Sequence, residues 1–256
     1  MNDTHMHTLF STDSNMKIEE ALKKANELGI GITITEHMDL EYPEPKAFIF
    51  DIDEYFCAYE QYRCDNVLLG IEIGMRSELA MKSRQVIAGR PLDYIIGSIH
   101  VVDGIDIYQE KFYLGRTKQE VYGRYFASML ACLESYDFID SLGHIDYIAR
   151  YARYNDAELY FDEFKDHIDQ VLVLLAKKQK AIEINTRRLG DKKTVEALIP
   201  VYRRFRELGG EYVTIGSDAH TPKDIGKNFK VALDLAEKCS LKPVWFKARK
   251  PDYIKQ

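Results

Sequence analysis

Six of the seven histidines in this chain stand at the end of a segment that reads as a short strand, and no other feature restricts the fold as much. His5 and His7 close the segment 2–7, and His37 follows IGITIT at 30–35. Glu72 ends VLLGIEI at 67–73, and His100 follows YIIGSI at 94–99. His144 follows FIDSL at 138–142, while Asp218 and His220 follow YVTIG at 212–216. AIEIN at 181–185 is a further run of the same kind. Short runs rich in β-branched residues read as strands. Residues i and i+2 of a strand share a face, so His5 and His7 are placed to grip one ion. Ligands from the other strands meet only if the carboxyl ends converge. A closed or nearly closed parallel barrel does this at its rim, whereas an open sheet strings its strand ends along a line.

The segments between most of these runs have helical spacing. In 17–28, Ile18, Ala21, Leu22, Ala25 and Leu28 fall on one face. In 117–135, Thr117 and Glu120 form a capping box ahead of Val121, Tyr125, Met129 and Leu133. Helices are likewise expected over 158–178, over 192–208 with a bend at Pro200, and over 222–238 behind Thr221 as cap. The result is about seven β/α repeats in an α/β chain. Segments 38–63 and 101–116, rich in Tyr, Glu and Asp, exceed common connections and read as loops over the mouth of the site. No linker or repeat divides the chain, so a single domain over residues 1–256 is expected.

Composition narrows the partners. A net charge of -6 with dispersed basic residues argues against nucleic acid. Four cysteines without CxxC spacing fit a reducing compartment. The chain is polar and histidine-bearing by residue 3 and has no apolar run of membrane-spanning length. A cytoplasmic protein without membrane attachment is expected.

Imidazole and carboxylate donors without cysteine suit zinc, iron or manganese. Their number exceeds the needs of one four-coordinate ion, so at least two metals are implied. An HxH pair alone is commonly surface chemistry, and a lone His37, His100 or His144 would commonly be a hydrogen-bonded rim residue. Their joint placement carries the metal reading. His167 is the counter-example: it lies inside an amphipathic segment and receives no chemistry.

The succession HxH, EH, an isolated Glu, GSIH, GHID and SDAH resembles the polymerase-and-histidinol-phosphatase (PHP) family of metal-dependent phosphoesterases. The resemblance runs from Asp3 to about Phe229 and is densest over 113–151, followed by EINT at 183–186. Within the family it is strongest to the branch acting on histidinol phosphate. The resemblance implies a distorted seven-stranded parallel barrel of TIM-like type and two to three divalent metals. One metal would take His5, His7, Glu72 and Asp218; a second would take Glu72 as a bridge, with His100 and His144. A third would take His37, His220 and Asp13. The implied activity is hydrolysis of a small phosphate monoester, histidinol phosphate, in histidine biosynthesis.

Two bridged ions lower the pKa of a shared water, giving a hydroxide to attack phosphorus in line. Glu72, Asp218 and His220 are the expected catalytic residues, with Asp218 a candidate proton donor to the leaving group. Arg150 and Arg187 are candidates for the phosphate, because guanidinium can grip two oxygens at once. Rival readings are a phosphatase for phosphotyrosine or nucleotides, a metal amidohydrolase, and a non-catalytic metal-stabilised module. The amidohydrolase reading meets His100 where many of those enzymes place a modified lysine.

Overall fold

A computed structural model describes residues 1–253. Eight strands form one sheet in chain order: β1 (Asn2–Asp3), β2 (Gly31–Met38), β3 (Val67–Gly74), β4 (Tyr94–Ser98), β5 (Ser141–Leu142), β6 (Ala181–Asn185), β7 (Tyr212–Gly216) and β8 (Lys242–Pro243). Every neighbouring pair is parallel. The sheet curls until its ends meet. Thr4 N–H donates to Ile215 O (3.0 Å), Asp218 N–H to His5 O (2.8 Å), and His7 N–H to Ala219 O (2.8 Å). The sheet has eight strands where seven were expected, and the closing hydrogen bonds join β1 to β7, with β8 outside that closure. β8 pairs with the first half of β7, and its two residues carry no apolar alternation to announce it.

The helices are α1 (Ile18–Leu28), α2 (Ile52–Tyr59), α3 (Ala80–Ile87), α4 (Lys118–Ser135), α5 (Tyr147–Tyr151), α6 (Lys165–Lys177), α7 (Lys192–Glu207) and α8 (Phe229–Lys238). The Thr117–Glu120 capping box is present at the start of α4. The segment 38–63 is not all loop. Asp51 caps α2 through the N–H groups of Asp53 and Glu54, and Ile52, Tyr55 and Tyr59 bury its inner face. The helix expected from 222 starts only at Phe229. Positive φ at Gly226 (69°) and Asn228 (58°) breaks the run, leaving a single 3-10 turn at Pro222–Asp224. Among the described residues no helix is long and apolar enough to cross a membrane.

Strand alternation sorts the two faces. Ile71, Ile73, Ile95, Ile182, Ile184, Val213 and Ile215 point outward into the main core under the helices. Tyr94, Ile96 and Ala181 point inward and meet Val244 and Phe246 from the C-terminal segment. That segment forms a hairpin, Trp245–Lys247 with Lys250–Asp252, across the amino-terminal mouth of the barrel. Phe246 stacks on Tyr94 at 5.5 Å. Arg249 forks onto Asp140, with Nε 2.5 Å from Oδ2 and Nη2 2.9 Å from Oδ1. Asp140 Oδ2 also accepts from Ile95 N–H (2.8 Å), so the hairpin is fastened to the strands themselves.

Arg249→Ala leaves the buried Asp140 without its cation. A loss of about 1–3 kcal/mol is expected, discounted because the guanidinium is partly exposed. In a chain of this size that is a fall in Tm of roughly 2–4 °C per kcal/mol, with turnover unchanged because the hairpin lies at the end away from the histidines. Thermal melts and a steady-state assay on the same preparation check it.

Candidate metal centre

The same alternation aims the donors. On β2 Thr33, Thr35 and His37 share the inward face; on β3 Gly70 and Glu72 do; Ser98 at the end of β4 and His100 just beyond it do. His37 and Glu72 are register partners, so the two side chains start side by side. Glu72 is buried at 1% exposure. Its Oε2 lies 3.3 Å from His5 Nε2, 3.5 Å from His7 Nε2 and 2.9 Å from His37 Nδ1. Its Oε1 lies 3.3 Å from His100 Nε2 and 3.0 Å from His144 Nε2. One carboxylate thus faces five imidazoles, three on one oxygen and two on the other.

The remaining candidates form the open side. Asp218 Oδ1 is 3.5 Å from His7 Nε2, and its backbone is left-handed at φ 53°. Arg150 Nη1 donates to Asp218 Oδ2 (2.9 Å), and Arg187 Nη1 donates to Asp218 O (2.6 Å). His220 Nε2 is 2.9 Å from Asp13 Oδ2, and His37 Nε2 is 3.7 Å from Asp13 Oδ1. All nine sequence-derived donors and both arginines therefore meet in one place. His167 lies on the exposed face of α6, away from them.

Three supports were not anticipated. Asp39, two residues beyond His37 and so on the same face, is buried and lies 2.8 Å from His100 Nδ1 through Oδ1. Gly74 leaves it room, since a Cβ there would sit 1.9 Å from Asp39 Oδ1. Ser11 Oγ donates to Glu36 Oε2 (2.6 Å) and lies 3.1 Å from His7 Nδ1. Glu183 Oε1 lies 2.7 Å from His5 Nδ1. The signal for Glu183 was in the sequence: Ile182-Glu-Ile184 repeats the Ile71-Glu-Ile73 pattern that marked Glu72.

The cluster has the chemistry of a cation site. Glu72 Oε2, His37 Nδ1, Asp39 Oδ2 and His144 Nδ1 are buried without a hydrogen-bond partner, a costly condition that a cation relieves at an oxygen or a deprotonated nitrogen. Groups able to converge on an ion are His5, His7 and Asp218; His5, Glu72 and His144; His37, Asp39 and His100; and His7, His37 and His220. Separations near 3.0–3.5 Å fit donors on a shell of about 2.1 Å radius. No cysteine joins the groups, so the donor set favours borderline divalent metals.

Without a metal, protons carry the balancing charge. Burial by itself pushes His37 down, but Glu72 and Asp13 outweigh it and raise it to about 10. His5 and His100 are raised for the same reason, burial being overcome by Glu72 with Glu183 or Asp39. Burial, His37 and His220 drive His7 the other way. Burial would raise Glu72 and Asp218, yet the surrounding imidazoles, and Arg150 at Asp218, hold both well below the usual carboxylate range.

Between this centre and the surface lies a cavity of about 450 Å³. Its walls include Tyr42, Phe48, Asp106, Tyr108, Tyr147 and Tyr151. Tyr42 donates to Asp106 Oδ2 (2.5 Å), and Tyr147 stacks on His144 at 4.5 Å.

Comparison with known proteins gives consistent matches. Residues 3–187 match the PHP domain. A probable histidinol-phosphatase from Clostridium acetobutylicum is 51% identical over 251 residues, covering 98% of each chain. A histidinol-phosphatase from Lactococcus lactis subsp. lactis is 32% identical, covering 86% of this chain and 84% of its own. The structure is similar to the crystal structure of histidinol phosphate phosphatase from that organism, complexed with zinc, L-histidinol and phosphate. The TM-score is 0.91 at 31% identity, over 98% of each chain.

A stability profile tests the electrostatics. The folded pKa of His37 is raised from 6.5 to about 10, so its contribution is complete below pH 6.5 and is lost as pH rises through about 10. His5 and His100 act in the same direction. The chelated protein should therefore lose Tm between pH 6.5 and 10, while the metal-loaded protein keeps it. A chelated Tm that climbs over that window contradicts the assignment.

Proposed function

Because the chain belongs to the PHP domain family, we propose that it is a metal-dependent phosphomonoesterase converting histidinol phosphate to histidinol and phosphate. The observation that carries the metal chemistry is the Glu72 carboxylate divided between two groups of imidazoles, the arrangement of a bridge between two ions. Two to three divalent ions, zinc, iron or manganese, are the reading. His5, His7, Glu72 and Asp218 would hold one, and Glu72, His100 and His144 would hold a second. His37, His220 and Asp13 would hold the third; Asp39 braces His100 and stands close enough to His37 to contribute there. The seven strand–helix units read from the sequence form the catalytic barrel of one domain, with β8 an addition at its amino end.

Bound divalent ions supply a hydroxide nucleophile at neutral pH and withdraw charge from phosphate oxygens. The chain's own residues provide the rest. Arg150 and Arg187 stand on the open side of Asp218, where their remaining donors can hold equatorial phosphate oxygens as charge spreads over them. The surrounding imidazoles and Arg150 hold Asp218 well below the usual carboxylate range, the form in which it would bind a metal, and it stays the candidate of this chain for the proton of the leaving group.

The other end of the substrate is a cation with an imidazole. The cavity offers aromatic faces and Asp106, positioned by Tyr42 and by Tyr108 N–H (2.8 Å to Oδ1). Tyr42 and Phe48 come from 38–63 and Asp106 and Tyr108 from 101–116, the segments expected over the mouth, while Tyr147 and Tyr151 come from α5. A cytoplasmic setting without nucleic acid or membrane partners belongs to the same reading, supported by the net charge of -6.

Phosphate release from purified, metal-replete protein tests the chemistry. Glu72→Gln and His144→Ala should each lose activity by orders of magnitude, whereas His167→Ala should remain near wild type. Near-normal turnover in either of the first two defeats the two-metal reading.

A second measurement tests the substrate. Histidinol phosphate should exceed simple alkyl and sugar phosphates in kcat/KM by at least about tenfold, equivalent to ~1.4 kcal/mol. Asp106→Asn should remove most of that preference and spare the simple esters, because loss of a charge-assisted contact costs about 1.5–3 kcal/mol. Equal losses on both substrate classes would show that Asp106 does not read the amine. Phosphotyrosine as the better substrate would overturn the choice of ester while leaving the phosphatase.

A further inference from the structure

We propose that Glu183 is a positioning residue that locks His5 and His144, from opposite parts of the chain, into one metal-binding geometry. The inference rests on the metal reading above and assigns a role to the one charged residue of the EINT segment, which no step so far uses.

Glu183 sits in the middle of β6, fully buried and facing inward between Ile182 and Ile184. Its two oxygens are divided. Oε1 lies 2.7 Å from His5 Nδ1, and Oε2 accepts the backbone N–H of His144 at 2.9 Å. Asn185 Nδ2 adds a longer bond to Oε2 at 3.3 Å. His5 and His144 are both neighbours of Glu72, on its different oxygens, and their rings stack at 5.7 Å with planes 21° apart.

An ionised carboxylate only accepts, so the bond to His5 places the ring proton on Nδ1 and leaves the Nε2 lone pair facing Glu72 and His7. A ring held through its second nitrogen in this way binds metal in a fixed tautomer and orientation. The bond to His144 fixes the main chain just after β5, and with it the starting point of the His144 side chain. Space has been left for this contact. A Cβ on Gly216 would lie 2.3 Å from Glu183 Oε1 and 2.4 Å from His5 Cβ. A side chain at 216 would thus push the two groups apart.

Glutamine separates positioning from space-filling. It has the same shape but one acceptor and one donor, while His5 Nδ1–H and His144 N–H both need an acceptor. If the amide donor faces His5, the ring proton moves to Nε2 and blocks that lone pair. If it faces His144, two donors oppose each other and the loop shifts. Either arrangement disturbs a metal ligand.

The experiment compares wild type, Glu183→Gln and Glu183→Asp. It measures metal content, zinc affinity by chelator competition, Tm of the chelated proteins, and kcat and KM. The expected result for Gln is a zinc affinity lower by about 10–100-fold. Chelated Tm should fall as well, because Glu183 helps to balance the His5 charge there, and kcat should fall more than KM changes. Asp keeps the charge but is too short to span both contacts, so its affinity should fall as well; this arm decides the matter if the Gln variant does not fold. Wild-type zinc affinity in a folded variant overturns the role of Glu183, as does a chelated Tm that falls while affinity holds. Wild-type protein that binds no metal overturns the metal reading itself and this inference with it.

Discussion

Five imidazoles facing one buried carboxylate is the constraint around which the rest of the molecule is arranged. An isolated ion at 1% exposure is prohibitively costly unless opposite charge surrounds it on the scale of a few ångströms. Glu72 has that surround only because His5, His37, His100 and His144 arrive from four different strand–loop units. A flat sheet would place the first and seventh strands far apart. The curl that joins Thr4 to Ile215 and His5 to Asp218 is therefore what makes Glu72 tolerable, and what makes the centre possible.

The imidazoles in turn need fixing, one by a hydroxyl and two by carboxylates. His7 meets the Ser11 hydroxyl, itself tied to Glu36; His100 meets Asp39; His5 meets Glu183. Glu36 projects away from the centre, toward Thr8 and Tyr59 under α2, which is why α2 belongs to the site's support although it touches no donor. Burial raises the Glu36 carboxyl, with the Ser11 and Thr8 hydrogen bonds opposing it. The outer layer is thus itself a set of buried polar groups that holds only while fully satisfied.

Much of this was legible because ligand chemistry and strand periodicity point to the same residues. His37, Glu72, His100, His144, Asp218 and His220 all fell at the ends of apolar runs, and His5 with His7 showed the i, i+2 spacing of one strand face. What was missed obeyed the same rules with weaker marks. Asp39 continues the inward face of β2 one pleat past His37, but it lies beyond the apolar run. Glu183 has the isoleucine flanks of Glu72, but no histidine follows its strand. β8 was invisible because a two-residue strand has no period to detect. The late start of α8 turned on left-handed backbone at Asn228, where apolar spacing is silent.

The two ends of the barrel divide the work. At the carboxyl end, polar donors are held in positions that favour an ion over a packed core, and the rings of His7, His37 and His220 are crowded together. Such an arrangement gains stability chiefly when ligand is bound, by an amount that grows with occupancy and reaches about 2.7 kcal/mol at a hundredfold excess over Kd. The amino end compensates independently of any ion. There Phe246 fills the barrel against Tyr94, while Arg249 and the backbone of residues 248 and 249 tie the hairpin to Asp140 and Asp93. Those contacts join β3, β4 and β5 through Leu69 N–H on Asp93 and Ile95 N–H on Asp140. Strands that carry Glu72 and His100 at one end are thus bound together at the other. The centre can remain electrostatically strained because its strands are held in register from below.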